Sequence, residues 1–335
     1  MCILTQVLLW VIIYKLYMTK AYKNKSRLSP WLFLLPALVI VLTFRMAPML
    51  YALWMSLFDW GLAGARRFLG LGNYSYLLSD SRFGQSLLNT VYYVLGVVPA
   101  SLFIALLIAV LINQKIRATA LYRTALFLPV ITSTVAISLV WKWIFNPRLG
   151  LANQALSALG IKPSLWLEEP AGIMNILLAP LGLHLPGVLA GPSLAMFAII
   201  IMSIWHSLGY NVIIFLAGLQ SIPEHYYEAA SLDGAGKWAS FRNVTWPMLS
   251  PTTFYVLLMS TITSFQVFIQ IYAMQGPVGG NPLGTTRTLV YYLYEKGFSD
   301  WQMGYANAVA FVLFLIILAL TIIQRKVLES KVHYQ

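Results

Sequence analysis

EAASLDGAGKWASFRNVTWP, Glu228 to Pro247, lies between two apolar runs, Leu194 to Leu219 and Thr252 to Met274, each long enough to cross a bilayer. A charged, glycine-punctuated segment between two membrane spans is a loop on one membrane face, shaped to dock something outside the bilayer.

The composition agrees with that setting. With 59% hydrophobic and 10% charged residues and a mean hydropathy of +0.75, the chain has too little polar surface to cover a water-soluble globule. Covering about 30 Å of hydrocarbon takes roughly 20 apolar residues as helix. Six segments meet that length: Trp31 to Trp54, Ser86 to Ile112, Leu121 to Trp143, Leu194 to Leu219, Thr252 to Met274 and Tyr305 to Ile323. The expected class is an all-α polytopic membrane protein, and strands are not expected at these lengths.

A net charge of +12 would suggest nucleic acid in a soluble protein, but here its distribution between loops sets orientation. Placing the Glu228 loop in the cytoplasm puts 13 basic residues inside: Lys15, Lys20, Lys23, Lys25, Arg27, Lys115, Arg117, Arg123, Lys237, Arg242, Arg325, Lys326 and Lys331. Eight fall outside, Arg66, Arg67, Arg82, Lys142, Arg148, Lys162, Arg287 and Lys296, and Arg45 falls within the first span. The larger number belongs inside, so both ends of the six-span core face the cytoplasm. The single cysteine, Cys2, forms no internal disulfide and is silent on redox compartment.

Residues 1–27 form a hydrophobic and then basic segment, compatible with an extra span, an interfacial helix or sequence upstream of the true start. A cleaved secretory signal is disfavoured, because the basic cluster comes after the apolar stretch and no small-residue cleavage site is evident. Residues 28–328 are the expected transmembrane domain, with the loop at 220–250, and 329–335 a terminal tail. The Gly70-Leu71-Gly72-Asn73-Tyr74 turn marks the first outer linker as an exposed loop. Gly172 to Ala190 is apolar but broken by Pro180 and Pro186, too short for a seventh span and suited to a re-entrant or surface-lying helix pair.

Within the Glu228 loop, Ser221-Ile222-Pro223-Glu224 reads as a capping box with Ser221 as N-cap and Glu224 at N3. The spacing predicts a helix of about 12 residues, stopped by Gly234-Ala235-Gly236, with Glu228, Ala229 and Ala230 in its middle. Lys237 to Val244 suits a second short helix, with Pro247 and Pro251 turning the chain into the next span. Small Ala229 and Ala230 let another backbone come close while Glu228 supplies one directed charge. An isolated Glu-Ala-Ala would be only a solvated helix face; the full pattern between two spans is what singles it out.

Glu228-Ala229-Ala230, three residues, Gly234, nine residues, Val244, one residue, Trp246-Pro247 resembles the EAA motif of ABC importer permeases. The family form usually ends Ile-x-Leu-Pro, so Val244 and Trp246 are departures, while Gly234 and Pro247 keep the spacing. The resemblance covers about residues 28 to 328, including Arg123-Thr124-Ala125-Leu126-Phe127-Leu128-Pro129, Trp141-Lys142-Trp143-Ile144-Phe145-Asn146-Pro147 and Gly218-Leu219-Gln220-Ser221-Ile222-Pro223. These strings are similar to the sugar and glycerol-phosphate branch, the maltose-type first permease subunit. The resemblance implies a six-span permease core that forms a heterodimer with a second permease subunit. It also implies two cytoplasmic ATPase subunits and an extracytoplasmic substrate-binding protein. In that family the motif glutamate, here Glu228, seats in a groove on the ATPase.

Gly234-Ala235-Gly236-Lys237 is a decoy for a phosphate-binding P-loop, which would need Gly at 231 and Ser or Thr at 238, where this chain has Ser231 and Trp238. ATP and its magnesium are therefore expected on a partner ATPase, with no cofactor in this chain. His184, His206, His225 and His333 share no ligand spacing, so no metal site is expected.

A path for substrate needs polar or aromatic groups on the spans. Ser203, His206, Ser207, Tyr210 and Asn211 recur at helical spacing in the fourth, and Ser260, Thr263, Ser264 and Gln270 in the fifth, with Gln266 adjacent. Hydroxyls and amides suit a sugar, and Trp205 or Tyr210 can stack on its apolar face. The same residues serve equally as interhelical glue, at about 0.6 kcal/mol per hydrogen bond. The resemblance places sugar contacts at positions matching Trp205, Gly209, Ser260 and Ser264. Arg45, an intramembrane cation near Pro48, reads as snorkelling outward, with an anion-binding role as the sharper alternative. An ion-coupled secondary transporter or channel is the other class to weigh. It would usually carry intramembrane carboxylates or histidines, whereas Asp59, Asp80, Glu168, Glu169, Glu295 and Asp300 all fall in outer loops.

Overall fold

The computed structural model describes residues 29–114, 119–276 and 283–328. Residues 1–27, the tail at 329–335, and the Gly- and Pro-rich tip at 277–282 lie outside them. Four described helices are long and apolar enough to cross a membrane: Trp31–Met55, Ser81–Asn113, Leu194–Gln220 and Met303–Val327. Two bent pairs bring the number to six, at the places where the sequence puts the third and fifth spans.

The chain divides into two compact units between Trp54 and Met55. The first holds span one, an almost wholly apolar helix broken by a π turn over Leu42–Met46 that carries exposed Arg45. The second holds everything else and builds its own core.

That core is centred on the fourth span, which packs against the second, third and fifth through small side chains. Ala105, Ala109, Ala195 and Ala198 are fully buried. At Gly209 a Cβ would run into the Leu126 carbonyl and the Val130 side chain, and at Gly218 into Thr252. Small residues let helices approach closely where lipid supplies no hydrophobic drive for their association.

The third and fifth spans differ from expectation, because neither is a continuous helix. The third turns by 99° between Leu121–Ile131 and Thr134–Ile144. Pro129 near the end of the first piece and Ser133 in an extended conformation end one helix and start the other. The fifth bends by 44° between Ser250–Phe265 and Ile269–Gln275, with Gln266 as the C-cap of the first half. At this second break Thr288 Oγ1 donates to the Val267 carbonyl at 3.2 Å, so a backbone acceptor freed from the helix is met by protein.

Opposite the Glu228 loop, the linkers fold further than the sequence suggests. The first carries a two-stranded hairpin, Phe58–Gly61 against Gly64–Phe68, and then a helix over Gly72–Ser79. Asn73 ties the two by donating to the carbonyls of Ser56 and Phe58 at 2.7 and 3.0 Å. The excursion from Gly172 to Ala190 is neither a span nor a helix pair. It holds one short helix, Ile173–Leu178, and two 3-10 turns, and is closed at its neck by the Gly172–Ser193 bridge. Its prolines and glycines cut the apolar run before a second helix can form. Tyr92 on the second span donates to the Val188 carbonyl at 2.7 Å and fixes the excursion against the bundle.

A polar clamp joins the second and sixth spans at the same end. Asp80, the N-cap of the second span, accepts hydrogen bonds from the hydroxyls of Tyr292 and Tyr305, the latter at 2.6 Å. Burial raises the pKa of its carboxyl, but the two phenols and the backbone N–H groups of Arg82 and Phe83 outweigh that and hold it below the ordinary carboxylate value. Burial first, and then the bond to Asp80, push the Tyr292 phenol above its usual range. Beside it Arg287 pairs with Glu295 at 2.9 Å, and Asn89 donates to the carbonyls of Gly284 and Arg287 at 2.9 Å each.

A carboxylate with a depressed folded-state pKa adds stability above its unfolded value and loses it as the pH falls through the folded one. Asp80→Asn should therefore lower the melting temperature of the detergent-solubilised protein at neutral pH, with a loss on the order of 1 kcal/mol for a partly exposed charged acceptor. The gap between wild type and variant should hold down to about pH 5 and close below it. A gap that widens on acidification would contradict this account of the clamp.

Candidate functional site

The loop between the fourth and fifth spans begins where the fourth helix ends at Gln220. Ser221 does not cap the next helix: it is the C-cap of the span, and its hydroxyl donates back to the Gly218 carbonyl at 2.8 Å. The loop helix runs from Glu224 to Leu232, shorter than expected, with Pro223 at its N-cap and no side-chain cap. The capping-box pattern fails because the same serine finishes the preceding helix first.

The other end matches the sequence reading in detail. Gly234 has φ +78°, Gly234 N–H donates to the Ser231 carbonyl at 3.1 Å, and Ala235 N–H donates to the Ala230 carbonyl at 2.9 Å. This is a Schellman closure, and the positive φ is what requires glycine at this position. Glu228 is the central residue of the nine-residue helix. Glu228 and Ala229 are exposed and Ala230 is half-buried. Among the described residues Glu228 forms no ion pair, so its charge is presented outward.

The second part of the loop is one stiff arm. Helix over Lys237–Ser240 passes through a π turn, Phe241–Thr245, into Trp246–Met248, and a single turn residue with helical backbone angles, Leu249, precedes the fifth span. Pro247 sits near the start of the last piece, where its missing N–H costs little. The two arms are tied by the hydrogen bond between the Tyr227 and Thr245 hydroxyls at 3.1 Å. Val244, Met248 and Tyr227 also pack on the cluster of Phe215, Leu219, Ile222 and Leu249 where spans four and five meet.

The expected path residues divide into two sets. Trp205 and Tyr210 are both exposed on the fourth span, about 140° apart around the helix. Gln266 is exposed at the break of the fifth span, and Ser260 is half-buried. Ser264 and Asn211 are buried, and the Asn211 Nδ2 has no hydrogen-bond partner among the described residues. Gly209 is buried against the Leu126 backbone, where its lack of a side chain makes the crossing with the third span possible. Trp141, in contact with Trp205 at a ring-centroid distance of 5.7 Å, was not singled out from the sequence. Its helical position resembles any other apolar one, and only the 99° bend brings it to Trp205. Among the described residues no group of His, Cys, Asp and Glu could hold a metal ion.

Comparison with known proteins agrees with this geometry. A probable ABC transporter permease protein, YesP of Bacillus subtilis (strain 168), is 35% identical over 315 residues, which cover 93% of this chain and 94% of that protein. The sn-glycerol-3-phosphate transport system permease protein UgpA of Yersinia pestis is 32% identical over 309 residues, covering 91% and 96%. A bacterial ABC transporter involved in the import of the acidic polysaccharide alginate shares the fold at a TM-score of 0.70 and 20% identity, over 96% of this chain and 98% of that one. Residues 68–333 match the family model described as the binding-protein-dependent transport system inner membrane component. The chain thus belongs to that family, as a membrane-spanning permease subunit of an ABC importer rather than an enzyme.

Proposed function

We propose that this chain is one of two permease subunits forming the path for a sugar, oligosaccharide or related polyol, handed over by an extracytoplasmic substrate-binding protein. Two cytoplasmic ATPase subunits, carrying ATP and magnesium, drive it through the Glu228 loop. The single observation that carries this reading is the loop itself. An outward-presented Glu228 beside small Ala229 and Ala230 sits on a helix closed at Gly234 and tied to an arm that continues into the fifth span.

Several findings support the details. The excess of basic residues on the loop side favours placing the Glu228 loop and both ends of the core in the cytoplasm. Relatives named for sn-glycerol 3-phosphate favour a polyhydroxylated substrate, as does a fold neighbour crystallised with an alginate-bound periplasmic protein. Exposed Trp205 and Tyr210 each offer a stacking ring, and Gln266 at the helix break and half-buried Ser260 offer hydrogen bonds. Asn211 and Ser264 are buried on the same two spans, with Asn211 Nδ2 lacking a partner among the described residues. Gly209 acts by setting the crossing of spans three and four rather than by touching substrate.

In mechanical terms the ATPase pair closes on ATP and carries the Glu228 helix with it. Nucleotide must favour one state of the assembly by about 5.5 kcal/mol for a near-complete switch, and that difference has to be delivered through contacts on this helix.

Glu228→Ala combined with Gly234→Pro should abolish uptake while leaving membrane insertion intact; substrate-stimulated ATPase activity that stays unchanged in the purified assembly would sink the coupling role. Gly234→Ala alone should cost about 1–2 kcal/mol locally, read as faster amide hydrogen exchange over Ala229 to Leu232. Trp205→Ala should raise the KM for transport by roughly three- to tenfold, the loss of one stacking face, with little change in folding because the ring is already half exposed. An unchanged KM would remove Trp205 from the path.

A further inference from the structure

An apolar groove of about 850 Å³ runs along the second span from Pro99 to Val110 and is walled on its other side by the second arm of the Glu228 loop. Phe103 lies on the span side, and Lys237, Trp238 and Trp246 on the loop side. Phe103 is 64% exposed and Trp238 72%, so the groove opens to its surroundings. Lys237 is the charged residue of the lining and, among the described residues, forms no ion pair.

The dimensions point to one occupant. The helix rises about 16 Å from Pro99 to Val110, and one leaflet contributes about 15 Å of hydrocarbon. The groove is therefore one leaflet deep. Its loop end carries two tryptophans and a lysine, the residue types that settle at the headgroup level. A sugar would find hardly any hydrogen-bonding groups on its wall. An acyl chain meets the apolar wall, and a phosphate meets the one cation.

We infer that this groove seats one acyl chain of an anionic phospholipid from the leaflet on the Glu228-loop side, its phosphate held against the Lys237 ammonium. The lipid then lies at the joint between the loop arm and the fifth span, since Trp246 and Thr253 both line the groove. It fills space that the arm must enter or leave when it moves. The inference stands on the groove and its charge, not on the coupling role of Glu228, so either can fail while the other survives.

The test uses the complete transporter purified from nanodiscs of mixed phosphatidylcholine and phosphatidylglycerol, with a photo-crosslinking benzoylphenylalanine replacing Phe103. With Lys237 intact this protein should cross-link to phosphatidylglycerol, and wild type should retain that lipid in native mass spectrometry. Lys237→Gln should retain about fivefold less, with phosphatidylcholine unaffected, and Lys237→Arg should behave as wild type. Equal retention of phosphatidylglycerol in Lys237→Gln would overturn the inference, as would cross-linking to another polypeptide of the assembly. Should Lys237→Gln fail to assemble, Leu107→Trp, which fills the groove, should lose the retained lipid; retention there would overturn the inference equally.

Discussion

The close approach of the fourth span to its neighbours is the constraint on which the rest depends. In lipid, apolar side chains gain little from meeting each other, so association rests on contact distance and on backbone satisfaction. Gly209 and Gly218 remove the side chains that would hold the third and fifth spans away, and Ala105 and Ala109 do the same on the second. Because these contacts fix the fourth helix, they also fix where it ends. Leu219 and Ile222 are buried in the cluster that receives Leu249 and Val256, so the loop leaves and re-enters the bundle at one packed joint.

Against that fixed helix, the two broken spans become tolerable. An interrupted helix exposes backbone groups, allowed at membrane depth only where protein or water meets them. The fifth span breaks beside Thr288, whose hydroxyl takes up a freed carbonyl. The polar clamp around Asp80, Tyr292 and Tyr305 stands at the same end and holds the second and sixth spans together. Breaks of this kind bring side chains off the helical repeat, and Trp141 meets Trp205 on the fourth span for that reason.

How much of this was legible in the residues depended on range. Gly234 as a stop was legible, because left-handed backbone is a local demand and glycine answers it locally. Six apolar segments were legible because bilayer thickness is a fixed length. The 99° turn after Ile131 was not, since Pro129 alone permits anything from a slight kink to a full break, and packing against Gly209 decides. Ser221 misled for a related reason. Its side chain can cap the loop helix or bond back to the fourth span, and that long span was already formed as far as Gln220. The Phe58–Phe68 hairpin was hidden because its pairing is held by Asn73, a contact to the next helix that local propensity does not encode.

The two arms of the loop are mechanically unequal, and this bears on how a push is transmitted. The Glu228 helix is short, exposed on most of its surface, and attached to the rest by its Schellman turn, the Tyr227–Thr245 hydrogen bond and the packing of Tyr227. The second arm is helical from Lys237 to Met248 apart from one wide turn, and only Leu249 separates it from the fifth span. The first arm is thus joined to the bundle by few contacts, while the second runs as one helix from Lys237 into the fifth span apart from its wide turn. Helical hydrogen bonds run on through the fully buried Leu249, from its N–H to the Thr245 carbonyl and from the Thr253 N–H to its own carbonyl, both at 2.9 Å. Leu249 shares one packing cluster with Phe215 and Val256, so the second arm and spans four and five meet at a single buried joint.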